Sequence, residues 1–412
     1  DAGDDDDAGD DDTGGDDDDD DDDLGPNWVR HEIAINVTGV MSVHAADLDS
    51  DADVDVLSAS SSGNVVAWHE NSGAAEPTWN SHDIATVAAG SSPQCVYAAD
   101  LNGDNALDAL SAANANGQFV WHENSGATNP SWESFEIDAG AGADSSATIH
   151  AGDLDDDGDI DVVGGSGFPT NTFSWYENDG SWTKTVIDTA VASPTSVQVV
   201  DLDLDADLDI LAGSYVDDTV AWYENDGASD PTFTKDVVST SPNGPWGVYA
   251  ADLNGDGYPD ILSASYYDDS VTWYEHDGNA SPNWSAATIS STALGARAVH
   301  AADVDDDGDL DVLVASQTDN TVALYENDGA ATPSFSFLAI DTGASGARDV
   351  SAADMDGDGD LDILAALYGS GTVVWYENNR LGSGDDDDAG DDDDTGDDDD
   401  TGDGDDAGDD DD

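Results

Sequence analysis

Short apolar runs separated by polar clusters fill the chain. Residues 299–340 show the pattern: VHAAD, DVLVAS, TVALYEN and FSFLAI are set apart by acidic, TDN-type and NDG-type stretches. Within the runs, β-branched and aromatic residues alternate with small or polar ones, so successive side chains fall on opposite faces of a strand. Clusters of Gly, Asp and Asn return every about 8–12 residues, the spacing of turns between short strands. No segment carries a helical period.

The order of runs then repeats. HAADVDDDGDLDVLVAS at 300–316 has counterparts in HAADLDSDADVDVLSAS, YAADLNGDNALDALSAA, HAGDLDDDGDIDVVGGS, VVDLDLDADLDILAGS, YAADLNGDGYPDILSAS and SAADMDGDGDLDILAAL. Their first acids are Asp47, Asp100, Asp153, Asp201, Asp252, Asp303 and Asp354, at intervals of 53, 53, 48, 51, 51 and 51 residues. WHEN, WHEN, WYEN, WYEN, WYEH, LYEN and WYEN follow in turn. A third register pairs an aromatic residue with Ile or Val five positions on: Trp79/Ile84, Trp132/Ile137, Trp182/Ile187, Phe233/Val238, Trp284/Ile289 and Phe335/Ile340. Four strands per unit and seven units predict an all-β, seven-bladed β-propeller of four-stranded blades. The seventh unit stops after its third strand. Trp28 and Ile33 near the N-terminus carry the missing spacing, so the N-terminal strand is expected to complete the last blade and close the ring, removing two exposed edges.

Charge divides the chain further. It holds 96 Asp and Glu against six Lys and Arg, a formal charge of −90. Sixteen Asp lie in residues 1–23 and 19 in 385–412, mostly in DDDDAG and DDDDTG units. Such segments bury no core and read as extended, self-repelling tails, so the expected organisation is a tail at 1–23, a propeller at 24–382 and a tail at 383–412. The balance argues against nucleic acid and anionic membranes as partners, and no apolar run is long enough to span a bilayer. The chain begins at Asp1 without a signal-peptide pattern, as a processed protein or a fragment would. Cys95 is alone, has no internal disulfide partner, and reads as a small buried hydrophobe.

The remaining acid concentrates in the seven repeated loops, where carboxylates fall on alternate positions 1, 3, 5, 7 and 9. Hard cations such as Ca²⁺ take six to eight oxygens, and a tight loop can turn alternate residues inward. The candidate ligands are Asp47, Asp49, Asp51, Asp53 and Asp55 in the first loop, and Asp100, Asn102, Asp104, Ala106 and Asp108 in the second. The third offers Asp153, Asp155, Asp157, Asp159 and Asp161; the fourth, Asp201, Asp203, Asp205, Asp207 and Asp209. The fifth offers Asp252, Asn254, Asp256, Tyr258 and Asp260; the sixth, Asp303, Asp305, Asp307, Asp309 and Asp311. The seventh offers Asp354, Asp356, Asp358, Asp360 and Asp362. Position 7 is expected to offer its backbone carbonyl, the others their side chains, with the apolar residue at position 8 anchoring the loop. Position 6 is expected at positive φ, which suits Gly158, Gly257, Gly308, Gly359 and Asn105 and suits Ala52 and Ala206 poorly. Without a cation, so many like charges would repel strongly.

These D-x-[DN]-x-D-x-x-x-D loops, over about residues 27–380, resemble the FG-GAP and VCBS-type repeats of integrin α-subunit propellers and secreted bacterial proteins. The resemblance implies a calcium-binding propeller with about seven ions, each between the first two strands of a blade. The literal Phe-Gly and Gly-Ala-Pro elements are not evident, so integrin-type partner binding does not carry over.

Other candidates are weaker. The Glu of the third strand recurs seven times, from Glu70 to Glu377, and fits a turn cap or a bond to a neighbouring loop better than an active site. His44, His150 and His300 share a register with Tyr97 and Tyr249 and read as packed strand residues. Eleven of twelve Trp belong to the repeating registers. Trp246 does not; it shares a position before the first strand with Met41, Gln94, Ala147, Thr195, Arg297 and Arg348. Trp246, Arg297 and Arg348 therefore form a candidate ligand rim on the face opposite the acidic loops, against the alternative that each Arg pairs with an acid such as Asp349. The functional expectation is a calcium-binding, secreted or cell-surface module for adhesion, binding or structure, whose partners are a glycan, a cell-surface protein or further copies. A polysaccharide lyase, hydrolase or lectin-like domain is the alternative.

Overall fold

The computed structural model describes residues 28–86, 91–114, 117–139 and 147–379. The tails expected at 1–23 and 383–412 lie outside the described residues. Twenty-eight strands, numbered β1 to β28 in chain order, form seven four-stranded antiparallel sheets. In the first blade, β2 (Val40–Ala46), β3 (Asp55–Ser60), β4 (Val65–Asn71) and β5 (Trp79–Thr86) pair in sequence. Five more blades repeat this meander. The described residues contain no helix.

The seventh blade has the order β1, β28, β27, β26, with β1 (Trp28–Ile35) laid against β28 (Thr372–Asn378), β27 (Asp362–Leu367) next and β26 (Ala347–Ala353) innermost. Trp28 opposes Asn378, and Ile35 opposes Thr372. A bulge between Glu32 and Ala34 takes Ile33 out of the ladder, and Ile33 is buried. The expected closure by the N-terminal strand is present.

The innermost strands β2, β6 (Pro93–Ala99), β10 (Ala147–Gly152), β14 (Pro194–Val200), β18 (Pro245–Ala251), β22 (Ala296–Ala302) and β26 contact their neighbours in a ring, β26 meeting β2. The core lies between blades. One cluster joins Leu57, Val66 and Trp68 of the first blade to Val96, Ala98 and Ala109 of the second, and Trp68 meets Trp132 at 6.5 Å. Another joins Val373 and Trp375 to Val40 and Val56 across the seam. The second strand of each blade, such as DVLSAS at β3, is buried along its whole length, except at the half-buried Ser166 that ends β11 (Asp161–Ser166). A central strand covered on both faces has no polar face to show, so the alternation expected of every run does not hold for these second strands.

Candidate metal centre

Each acidic loop joins the first strand of its blade to the second, on one face of the ring. Local hydrogen bonds shape it. Asp47 accepts from the Asp51 N–H at 3.2 Å and the Ala52 N–H at 3.1 Å, and Asp51 accepts from the Asp53 N–H at 3.1 Å. Backbone at position 6 has positive φ throughout: 79° at Ala52, 69° at Asn105, 95° at Gly158, 80° at Ala206, 90° at Gly257, 95° at Gly308 and 101° at Gly359. Position 4 does the same, from Ser50 at 62° to Leu204 at 61°, a requirement not read from the sequence.

The position 9 carboxylate ties the loop to the blade. Asp55 accepts from the Leu48 N–H at 3.1 Å and the Asn71 N–H at 2.7 Å, and Asp108, Asp161, Asp209, Asp260, Asp311 and Asp362 repeat the pair. Burial pushes these acids up, to about 6 at Asp55 and about 8 at Asp362, although the two N–H bonds oppose the rise. The main apolar anchor is position 2, not position 8. Leu48, Leu101, Leu154, Leu202, Leu253, Val304 and Met355 are buried, whereas Val54 and its equivalents at position 8 are only partly so.

Carboxylate oxygens converge within 4.8 Å of one another in five loops. The groups are Asp47, Asp49 and Asp55; Asp153, Asp155 and Asp161; Asp201, Asp203 and Asp209; Asp303, Asp305 and Asp307; and Asp354, Asp356 and Asp362. Positions 1, 3 and 9 gather in four of them, and positions 1, 3 and 5 in the sixth loop. In the second and fifth loops Asn102 and Asn254 replace the central acid, each accepting from the N–H of position 5 at 3.0 and 2.9 Å. Asp49 and Asp155 are 5% and 8% exposed, and one oxygen of each is buried without a hydrogen-bond partner. Burial, then the neighbouring acids Asp55 and Asp51, raise Asp49 to about 7. A buried carboxylate that lacks a partner is costly unless a cation compensates it, so the donor set fits a hard divalent ion. In three loops the position 7 side chain turns to the next hairpin. Asp53, Asp207 and Asp309 lie against Gly73, Gly227 and Gly329 of the next hairpin, where a Cβ would collide with the carboxylate.

The FG-GAP-like repeat profile matches residues 47–111, 100–164, 153–212, 201–263, 252–314 and 303–365, most of the chain. The protein belongs to the FG-GAP-like repeat family. No curated protein matches it. Among solved structures, this FG-GAP propeller is similar to an Agrocybe aegerita lectin described as recognising non-reducing terminal N-acetylglucosamine. That similarity has 17% identity and a TM-score of 0.54 over 83% of this chain and 86% of the lectin. It is also similar to BBS1N, solved in complex with ARL6DN, in lead- and mercury-soaked crystals. Identities are 11% and 13% and TM-scores 0.56 and 0.57, over 86% of this chain and 98% of that one. At these identities the likeness concerns the fold.

The FG-GAP loops are also joined to each other, through a residue the sequence reading passed over. In six blades the Asn at the end of the third strand, or just after it, donates to the position 2 carbonyl of the preceding loop: Asn71 to Met355 at 2.8 Å, Asn124 to Leu48 at 2.6 Å, and Asn178 to Leu101 at 2.8 Å. Asn225 to Leu154, Asn327 to Leu253 and Asn378 to Val304 follow, each at 2.8 Å. The same amides bond the position 8 carbonyl of their own loop. In the fifth blade His276 replaces Asn, and its Nε2 is buried without a partner. The signal was present as the final letter of the third-strand motif, Asn in six of its seven copies.

The preceding Glu does bond locally. Glu123 accepts from Asn102 of its own loop at 3.2 Å, Glu70 meets His82 at 3.0 Å, and Glu377 meets His31 at 2.6 Å. His44, His150 and His300 pack in the channel wall, His150 against Tyr97 with ring centroids 4.1 Å apart. Burial lowers all three to about 4, so they are neutral. Cys95 is half-buried in the same wall, and burial raises its thiol to about 11.

Trp246, Arg297 and Arg348 all line the channel, with the Arg297 guanidinium 3.7 Å from the Trp246 ring centre. The pairing of Arg348 with Asp349 does not occur; that carboxylate instead accepts from the Val43 and Val350 N–H groups at 3.0 and 3.1 Å.

Proposed function

We propose that this chain is a calcium-stabilised binding module of an extracellular protein, without enzymatic activity. The buried, unpartnered oxygens of Asp49 and Asp155 inside three-carboxylate groups are the observation that carries the metal reading. The side chains at positions 1, 3 and 9, with position 5 in the sixth loop, would hold the ion. When bound, Ca²⁺ supplies the positive charge that lets these carboxylates stay ionised side by side. Repetition supports binding over catalysis, because a reaction needs one asymmetric constellation and this chemistry recurs around a ring. Loops of this kind suit dissociation constants of about 10⁻⁴–10⁻³ M, in the range of extracellular calcium.

Thermal melting with and without EGTA tests the reading. At about 100 times its dissociation constant one ion adds about 2.7 kcal/mol, and several together rival the stability of a typical domain, about 5–15 kcal/mol. Chelation is expected to lower the melting temperature steeply, with recovery on adding calcium. An unchanged transition in excess EGTA would sink the metal assignment.

A further inference from the structure

The channel end opposite the acidic loops holds a charge anomaly. Among the described residues Arg30 pairs with Asp341 at 3.2 Å, Lys184 with Asp138 at 2.7 Å and Lys235 with Asp188 at 2.8 Å. The two remaining described cations, Arg297 and Arg348, have no carboxylate partner in a protein crowded with carboxylates. Arg297 is only 8% exposed, and the Nε atoms of both are buried without hydrogen bonds.

The backbone aims them. The innermost strand has a β-bulge near its start in six of the seven blades, and the bulged residues are Met41, Gln94, Thr195, Trp246, Arg297 and Arg348. A bulge takes one residue out of the ladder and redirects its side chain, here into a cavity of about 530 Å³. The Arg297 guanidinium lies 3.7 Å from the Trp246 ring centre, and that of Arg348 lies 3.8 Å from the Tyr368 ring centre. Gly247 lets β18 and β22 approach at this point, since an added Cβ would stand 2.6 Å from the Arg297 carbonyl. Burial, then the Arg348 charge, lowers Arg297 to about 9, which leaves it protonated at neutral pH. Stacking on aromatic rings holds the cations in place but does not neutralise them.

We propose that this channel mouth docks a peptide segment of a protein partner, seating one acidic side chain between Arg297 and Arg348 and flanking apolar residues on Val216, Tyr267 and Leu294. Those three side chains are 63%, 59% and 42% exposed. They belong to the same face, because Val216 N–H donates to Ala192, Tyr267 N–H to Asn243, and Leu294 accepts from Thr318 N–H. Tyr267 continues into the pocket through Tyr215, 5.2 Å away, which meets Trp246 at 4.8 Å. A carboxylate completes both guanidinium forks, and the apolar surface beside them suits peptide side chains. A polyanion fits less well, since Asp217, Asp218, Asp268, Asp269 and Asp319 occupy the turns of this same face. A sugar acid also fits less well, because Arg297 already covers a face of Trp246, the ring expected to serve as the stacking platform.

The proposal deepens the binding-module reading and is independent of its calcium, which the melting transition reports separately. The test is ligand-observed NMR on the full chain in saturating calcium. The probes are acetyl-Leu-Asp-Tyr-amide, its Asn counterpart, digalacturonate, and acetyl-tetra-aspartyl-amide. Saturable binding of the aspartyl tripeptide is expected, with affinity at least about tenfold lower for the Asn peptide and for Arg348→Gln, whose calcium-dependent melting stays that of the parent. Tyr267→Ser, a surface change that leaves the guanidiniums in place, is expected to weaken binding as well. Arg297→Gln serves as a second charge variant where it folds. Equal binding of the Asp and Asn peptides, no saturable binding of the tripeptide, or parental affinity in both Arg348→Gln and Tyr267→Ser overturns the proposal. Tighter binding of digalacturonate would make the mouth a sugar-acid site, and tighter binding of tetra-aspartate a polyanion site; either also overturns it.

Discussion

The Asn124 amide donates to the Leu48 carbonyl at 2.6 Å and ties the third strand of one blade to the acidic loop of the blade before it. Six such bonds run around the ring, and each amide also holds its own loop. Ordering one loop therefore restrains the next. Asn327→Ala is expected to cost about 1–3 kcal/mol, because buried carbonyls of Leu253 and Leu310 lose their donor. His276→Ala breaks no bond to the preceding loop and is expected to cost less. Urea midpoints of the two variants in saturating calcium decide the matter; equal losses would mean the inter-blade bond contributes nothing.

The first and fourth loops each hold two non-glycine residues at positive φ, and the fourth places a bulky Leu at one of them. Leu204 and Ala206 both hold positive φ, at 61° and 80°. An L-residue in that region costs about 1–2 kcal/mol. Leu204→Asn combined with Ala206→Gly is expected to raise the melting temperature and the calcium affinity of this loop, while Gly308→Ala lowers both at the sixth. Calorimetric calcium titration of each variant is the measurement, and a lower melting temperature for the fourth-loop variant would contradict the strain argument.

Acid sensitivity has a traceable source in the first two blades. His69 is held between the Ser58 and Ser81 hydroxyls at 2.9 and 2.7 Å, and His122 between Ser111 and Ser134 at 2.9 and 2.8 Å. Burial lowers both to about 4. The unfolded imidazoles bind protons near about pH 6.5, so the unfolded state takes up more protons between those values. The stabilisation is complete above about pH 6.5 and is lost as pH falls toward about 4. The other blades place Tyr176, Tyr223, Tyr274, Tyr325 or Tyr376 at this position. His69→Tyr with His122→Tyr is expected to flatten the fall in urea midpoint between about pH 7 and pH 5. Comparing parent and variant under identical calcium cancels the pH dependence of the loops. Parallel curves would refute the assignment.

Ring closure gives a clean contrast between truncations. Removing residues 1–23 leaves β1 intact and is expected to preserve the melting temperature. Removing residues 1–36 takes away Ile33 and the partner of β28, exposing a strand edge and promoting aggregation. Equal melting of the two truncations would show that β1 adds little to the closed ring.

Much of this molecule was legible because the chain repeats itself. Strand count, closure by Trp28 and Ile33, and positive φ at Ala52 and Ala206 all followed from comparing one unit with the next. The missed features depend on contacts between units. The Asn124 bond to Leu48 spans 76 residues and has no local signature. Burial of Leu48 at position 2 follows from the neighbouring blade covering it, which periodicity within one loop does not reveal. The bulges at Arg297 and Arg348 are departures from pairing, and an alternating pattern of apolar residues is blind to them.

The pairing of Trp28 with Asn378 places both ends of the described ring side by side at one end of the same strand pair. Tension applied between the flanking segments would therefore not slide β1 along β28. It would peel the two strands apart from that end, parting their bonds in succession, each under nearly the whole load. Strands pulled this way resist weakly compared with strands sheared along their length. The closing seam is thus placed as a mechanical fuse: β1 is the strand expected to part first under load, and β28 keeps the edge on which it can pair again.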